Sequence, residues 1–199
     1  MRRAANTFGN KALAGLAVFL LAAIGVWTQT RTTPAANSGS ARSEGFVATV
    51  VKVVDGDTAD IQSQARGRLR IRIVGINTPE VKKPGYSVGC GGPEASNFAK
   101  ELLAGQQVTV VLDPSQDAHD RWGRTVAALF LADGRNFSVE SAAAGHAHSY
   151  VYNRRPSRWA EEIRAAEQRA REASKGFWGP PCLGRTESQQ LHSSPLSSR

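Results

Sequence analysis

Only two cysteines, Cys90 and Cys182, and only four histidines occur in the 199 residues. Neither cysteine lies in the apolar N-terminal segment, which excludes lipid attachment through a signal-peptide cysteine. His146 and His148 stand two positions apart with no third ligand beside them, so a zinc site lacks most of its coordination sphere. No internal repeat is present. An excess of positive charge is also thinner than the total of +8 implies. Residues 1–44 hold five basic groups and one acid, and residues 183–199 hold two and one, leaving a net of +3 between them. Bulk basicity therefore does not argue for a polyanionic partner, and any phosphate contact must rest on placed arginines.

What is present begins with targeting. Arg2, Arg3 and Lys11 precede an uncharged, mostly apolar run from Ala12 to Trp27, the pattern of an export signal. Its sixteen residues would span about 24 Å as a helix, short of the roughly 30 Å hydrocarbon core, so a cleaved signal and an uncleaved membrane anchor both remain open. Residues 1–27 are thus expected to be a signal or anchor. Residues 28–44, rich in Thr, Ser, Ala and Asn, form a flexible linker. Residues 45–182 form one domain, and the Ser- and Gln-rich 183–199 form a disordered tail. The expected location is extracytoplasmic, secreted or held at the cytoplasmic membrane.

Within the domain, Phe46 to Val54 is β-branched and ends on the turn signal Asp55-Gly56-Asp57. Thr58 to Gln64 continues as a strand. Arg68 to Ile76 alternates, with Leu69, Ile71 and Ile73 on one face and Arg68, Arg70 and Arg72 on the other. Pro93-Glu94-Ala95-Ser96 opens a helix that runs to about Ala104, with proline and an acid suited to its first turn. Gln107 to Leu112 and Thr125 to Leu131 read as strands, Val139 to Ala144 as a short helix, and Arg158 to Lys175 as a long amphipathic one. The order predicts a small α+β domain on a curled antiparallel sheet.

The chemistry collects between Val53 and Glu80. Asp57, Asn77 and the Thr78 carbonyl offer oxygen ligands from two turns with no soft donor nearby, a set that suits Ca²⁺ or Mg²⁺. Arg72 and Arg124 each have the fork geometry to hold a phosphate through two hydrogen bonds. Glu80, following Pro79, is placed to orient or deprotonate a water. Taken singly, Asp-Gly-Asp is an ordinary β-turn and a strand arginine an ordinary solvated side chain.

Four motifs in order carry a resemblance. Val54-Asp55-Gly56-Asp57-Thr58, then Arg72 with Ile76-Asn77-Thr78-Pro79-Glu80, then Gly92-Pro93-Glu94-Ala95-Ser96, then Asp120-Arg121-Trp122-Gly123-Arg124 resemble the staphylococcal nuclease family from Gly45 to Trp178. The resemblance implies a five-stranded OB-type β-barrel with three helices and Ca²⁺-dependent hydrolysis of DNA and RNA, single strands favoured, to 3′-phosphate products. It places metal ligands at Asp57, Asn77 and Thr78, catalytic groups at Arg72, Glu80 and Arg124, and stacking aromatics at Trp122, Tyr150 and Tyr152. A monomer is expected. Asn77 departs from the family pattern, where an aspartate is usual; the site loses one charge, so calcium binds more weakly or another divalent cation serves. The alternative is a module of the same fold that binds nucleic acid without cleaving it. Cys90 and Cys182, in an exported chain, are expected to form a disulfide joining the loop on the site's side to the segment after the last helix.

Overall fold

The computed structural model describes residues 45–191; the signal or anchor segment 1–27, the linker 28–44 and tail residues 192–199 lie outside the described residues. Among the described residues no helix is long and apolar enough to cross a membrane.

Five strands close a barrel: β1 (Phe46–Asp55), β2 (Thr58–Ser63), β3 (Gly67–Ile73), β5 (Gln107–Val111) and β6 (Thr125–Phe130), in the ring order β1-β2-β3-β6-β5. Alternation decides which side chains enter it. Val50, Ile61, Ile71, Ile73, Val108, Val110 and Leu129 are essentially fully buried, while Arg68 and Arg70 stand outside. With three helices packed around it, this is the OB-type barrel expected from the sequence. The sheet is not wholly antiparallel, however. β3 pairs with β6 in parallel, Ile71 opposite Thr125 and Arg72 opposite Val126. Parallel partners need a crossover, and the long excursion from Val74 to Arg124, carrying a helix and β5, supplies it.

The strand expected to run to Ile76 stops at Ile73. Gly75 adopts φ 80°, and a Cβ there would meet Ile163 Cδ1 at 2.5 Å. The chain therefore turns, and β4 (Ile76–Asn77) pairs instead with β7 (His148–Ser149), Asn77 opposite His148.

Helix α1 (Gly92–Leu103) has proline at its start, Glu94 in its first turn, and buries Ala95, Ser96, Ala99 and Leu103 at helical spacing. Helix α2 (Phe137–Ala143) begins two residues before the expected Val139, because the Asn136 side chain accepts from Ser138 N at 2.9 Å and caps it there. Helix α3 (Ala160–Glu172) is shorter at both ends than the expected 158–175 and buries Ala160, Ile163, Ala166 and Ala170 against the rest of the domain.

The tail needs a correction. Residues 183–191, expected to be disordered, run alongside residues 85–87: Ser87 N donates to Gln189 O at 2.8 Å, Gln189 N to Ser87 Oγ at 2.9 Å, and Leu191 N to Gly85 O at 2.8 Å. The Cys90–Cys182 disulfide, with Cα atoms 5.6 Å apart, brings the two segments together. Main-chain pairing next to a tether needs no apolar pattern, so polar composition did not reveal it.

Candidate active site

Two turns meet at the foundation of the site. Gly56 admits close approach: a Cβ there would lie 2.8 Å from Thr78 Cγ2. With the turns in contact, Thr78 N donates to Asp57 Oδ2 at 3.1 Å, and Thr58 Oγ1 donates to Asp57 Oδ1 at 3.0 Å. Asp57 is buried and its own N–H donates to Asp55 Oδ1 at 3.1 Å.

Arg72 leaves β3 beside this carboxylate, Nη2 lying 3.3 Å from Asp57 Oδ2, with only 14% of the side chain exposed. Its Nη1 donates to Ile73 O at 2.6 Å and its Nη2 to Ile76 O at 2.8 Å, so the main chain of the Gly75 turn fixes the fork. Arg124 enters from the residue preceding β6. Asp120 accepts from its Nε at 2.6 Å and from its main-chain N–H at 2.9 Å, and Arg124 Nη1 donates to Thr58 Oγ1 at 3.2 Å. A continuous line of contacts results: Arg124, Thr58, Asp57, Arg72. Burial works against the ionised Asp120, but hydrogen bonds from the Arg124 main chain and side chain and from Trp122 N hold its carboxyl below the usual range.

Glu80 sits exposed at the mouth. Its Oε1 accepts from Val81 N at 3.0 Å and Lys82 N at 2.9 Å, which orients the carboxylate and leaves Oε2 for the solvent side. Asn77 Oδ1 lies 3.4 Å from Arg72 Nη2. Asp55 is pushed up to about 6, first by burial and then by the neighbouring Asp57 charge. Among the described residues no three His, Cys, Asp or Glu side chains cluster to hold a metal by themselves. A cation would therefore depend on mixed oxygen donors. The two crowded carboxylates, the Asn77 amide and the Thr78 main chain, all bordering one cleft, form such a set, and their mutual repulsion is what a hard cation relieves.

The cleft has a volume of about 690 Å³, and Asp57, Arg72, Asn77, Thr78, Glu80, Trp122, Arg124, Tyr150 and Tyr152 all line it. The aromatics frame it as exposed surfaces: Trp122 is 66% accessible, with the Arg124 guanidinium 4.9 Å from its ring centre, and the Arg72 guanidinium lies 5.9 Å from that of Tyr150. Cys90 and Cys182 stand apart from this group, in the disulfide. Asp55, Thr58 and Asp120 were not singled out from the sequence as members of the site. The first acid and the threonine of Asp55-Gly56-Asp57-Thr58 were the available signal for the first two; Asp120 acts through a local turn, accepting from Trp122 N and Arg124 N.

A second polar cluster lies beneath β7. His148 bridges Glu167 Oε1 at 3.2 Å and Thr186 Oγ1 at 2.9 Å, while Ser149 Oγ donates to Glu167 Oε2. Burial raises Glu167, but the His148 and Ser149 hydrogen bonds prevail and leave it lowered. With Thr186 buried, this cluster joins β7, α3 and the C-terminal segment, and holds the strand that pairs with Asn77.

A closed five-stranded barrel with two guanidiniums and a set of oxygen donors lining one cleft defines an OB-type domain with a polar, partly cationic cleft on its surface. A family model described as Staphylococcal nuclease homologue matches residues 70–180. The chain is similar to a thermonuclease of Staphylococcus hyicus, 31% identical over 171 residues that cover 84% of this chain and 98% of that one. It is 36% identical over 116 residues to a thermonuclease of Staphylococcus intermedius, covering 58% of this chain and 66% of that one. It is also 33% identical over 142 residues to an uncharacterized endonuclease of Escherichia coli, covering 68% and 82%. The chain belongs to the staphylococcal nuclease family.

Proposed function

We propose that the protein is an exported or membrane-anchored, divalent-cation-dependent nuclease that hydrolyses phosphodiester bonds of DNA and RNA to 3′-phosphate products, acting as a monomer and favouring single strands. Family membership supports the nuclease class. The observation that carries the reading further is the unbroken contact line Arg124–Thr58–Asp57–Arg72, which sets two guanidiniums on either side of a carboxylate in the lining of one cleft.

In this reading Arg72 and Arg124 hold the scissile phosphate and stabilise the charge that grows on its oxygens. Glu80, its Oε1 fixed by two main-chain donors, presents Oε2 to the attacking water and takes its proton. Asp57, Asn77 and Thr78, with Asp55 beside them, would hold Ca²⁺ or a related divalent ion, which when bound supplies positive charge against the phosphate. Trp122, Tyr150 and Tyr152 offer ring faces to bases, a contact that tolerates any sequence. Location rests on residues 1–27 alone, to which a disulfide-bearing domain is suited.

The test is cleavage of a single-stranded oligonucleotide by the purified protein with Ca²⁺, other divalent ions, or a chelator. Cleavage with a divalent ion, abolished by the chelator and leaving 3′-phosphate ends, is expected. Binding without cleavage under every ion would replace the enzyme by a binding module.

A further inference from the structure

Arg72 is the last rung of a row. On β3, side chains two residues apart share a face at about 7 Å spacing, so Arg68 and Arg70 continue the line of Arg72 away from the centre of the cleft. Cross-strand register sets them opposite Gln62 and Asp60, as Arg72 is set opposite Thr58. Arg70 lines the same cleft as Arg72. Unlike Arg72, both are open to solvent, 64% for the Arg68 side chain and 52% for Arg70.

One acid orders both of them. Asp60, nearly buried, receives Arg70 Nε at 2.6 Å and Nη2 at 3.1 Å, and Arg68 Nη2 at 3.3 Å. Each guanidinium thereby turns one edge inward and keeps the other outward. Lys52, exposed on β1, stands opposite the same Asp60 in register. Two arginines share one carboxylate, with Lys52 opposite it in register and the Asp55 charge also reaching Arg70. A pair serving only the hairpin would need a single arginine; the second arginine at the same acid adds positive charge on a solvent-exposed face.

We propose that Arg70 and Arg68 are successive phosphate-binding subsites for a single-stranded nucleic acid whose backbone runs along β3, outward from the phosphate held at Arg72, with Asp60 as their positioning residue. The inference rests on the nuclease reading for the identity of the strand. A rise of two residues along β3 is comparable to one nucleotide step of an extended single strand, so the rungs meet consecutive phosphates, and the outward guanidinium edges are the donors.

The test compares the full chain with R68Q/R70Q, with D60N/R68Q/R70Q, which removes the carboxylate the double variant would strand, and with R68K/R70K. Two readouts are taken: the salt dependence of binding to a single-stranded decanucleotide, and the gain in kcat/KM on lengthening the substrate from a dinucleotide to that decanucleotide. The glutamine variants are expected to lose about 1.4 from the log–log salt slope, roughly 0.7 for each phosphate contact on a single strand, and to lose most of the length-dependent gain. The lysine variant should retain the slope. A wild-type slope and length gain in either folded glutamine variant would overturn the subsites, as would a lysine variant that loses as much as they do. Absence of cleavage by the wild-type chain would overturn the nuclease reading instead, while the salt slope would still judge the row of arginines.

Discussion

Arg124 shows how much of a functional group's behaviour comes from what grips it. Its Nε is occupied by Asp120 at 2.6 Å and its Nη1 reaches Thr58 at 3.2 Å, so the side chain is fixed by its own loop and by β2 before any ligand arrives. Lysine would keep the charge and lose both the fork and its orientation. R124K is therefore expected to lower kcat on single-stranded oligonucleotides by about 10²- to 10³-fold, with a smaller change in KM, as measured by steady-state kinetics. Arg72 and Arg124 were picked out in the sequence through the ordered motifs that carry the family resemblance, and the structure places both in one cleft. Asp120 appeared only as the first residue of the Asp120-Arg121-Trp122-Gly123-Arg124 motif; its side chain gripping Arg124 four residues on is a local turn contact that only the structure makes explicit. Asn77 was legible as a departure, and the structure adds that its amide oxygen faces Arg72 at 3.4 Å.

At the scale of elements, apolar spacing revealed the three helices, and local chemistry moved their ends. Asn136 started α2 early, and Gly75, fitted beneath Ile163, cut β3 short and created the β4–β7 pair that carries Asn77. The packing of α1 against the segment after α2 yields a pH dependence. His146 lies with its ring centre 4.9 Å from that of Phe98, and its Nδ1 is buried without a hydrogen-bond partner. Burial depresses its pKa below the ordinary 6.5, with the Glu94 and Glu101 charges on α1 opposing the shift. The folded state thus favours the neutral ring. The stability this contributes is fully present above 6.5 and is lost as the pH falls from there through the depressed folded value. H146L should be less sensitive than the wild type to lowering the pH from about 8 to about 5, compared by urea midpoints at each pH. Equal sensitivity in both proteins would contradict it.

For the whole molecule, the disulfide spans 92 residues and fastens the C-terminal segment to the loop that follows Glu80. Closing a loop of that length stabilises by about 4.6 kcal/mol in the chain-entropy model. C90A/C182A is expected to lose stability of that order in urea unfolding, and reduction of the wild type should produce a similar loss. The line from Arg124 to Arg72 lies on the barrel and should survive either change. The barrel as a class was readable from the alternating strands and the ordered motifs. Its parallel seam was not, since nothing in β3 or β6 alone states which neighbour each will take, and the docked strap from 183 to 191 was hidden by its polar composition.

That seam has a consequence in time. Arg72 and Val126 become partners only when chain segments more than fifty residues apart have met, so the seam, like the β1–β5 and β4–β7 pairs, demands a long loop closure of the folding chain. A collapsed intermediate with β1, β2 and β3 in place would hold Asp57 and Arg72 but not Arg124. If both guanidiniums are needed for cleavage, as proposed, activity would report the completed ring and a partly folded chain would be silent.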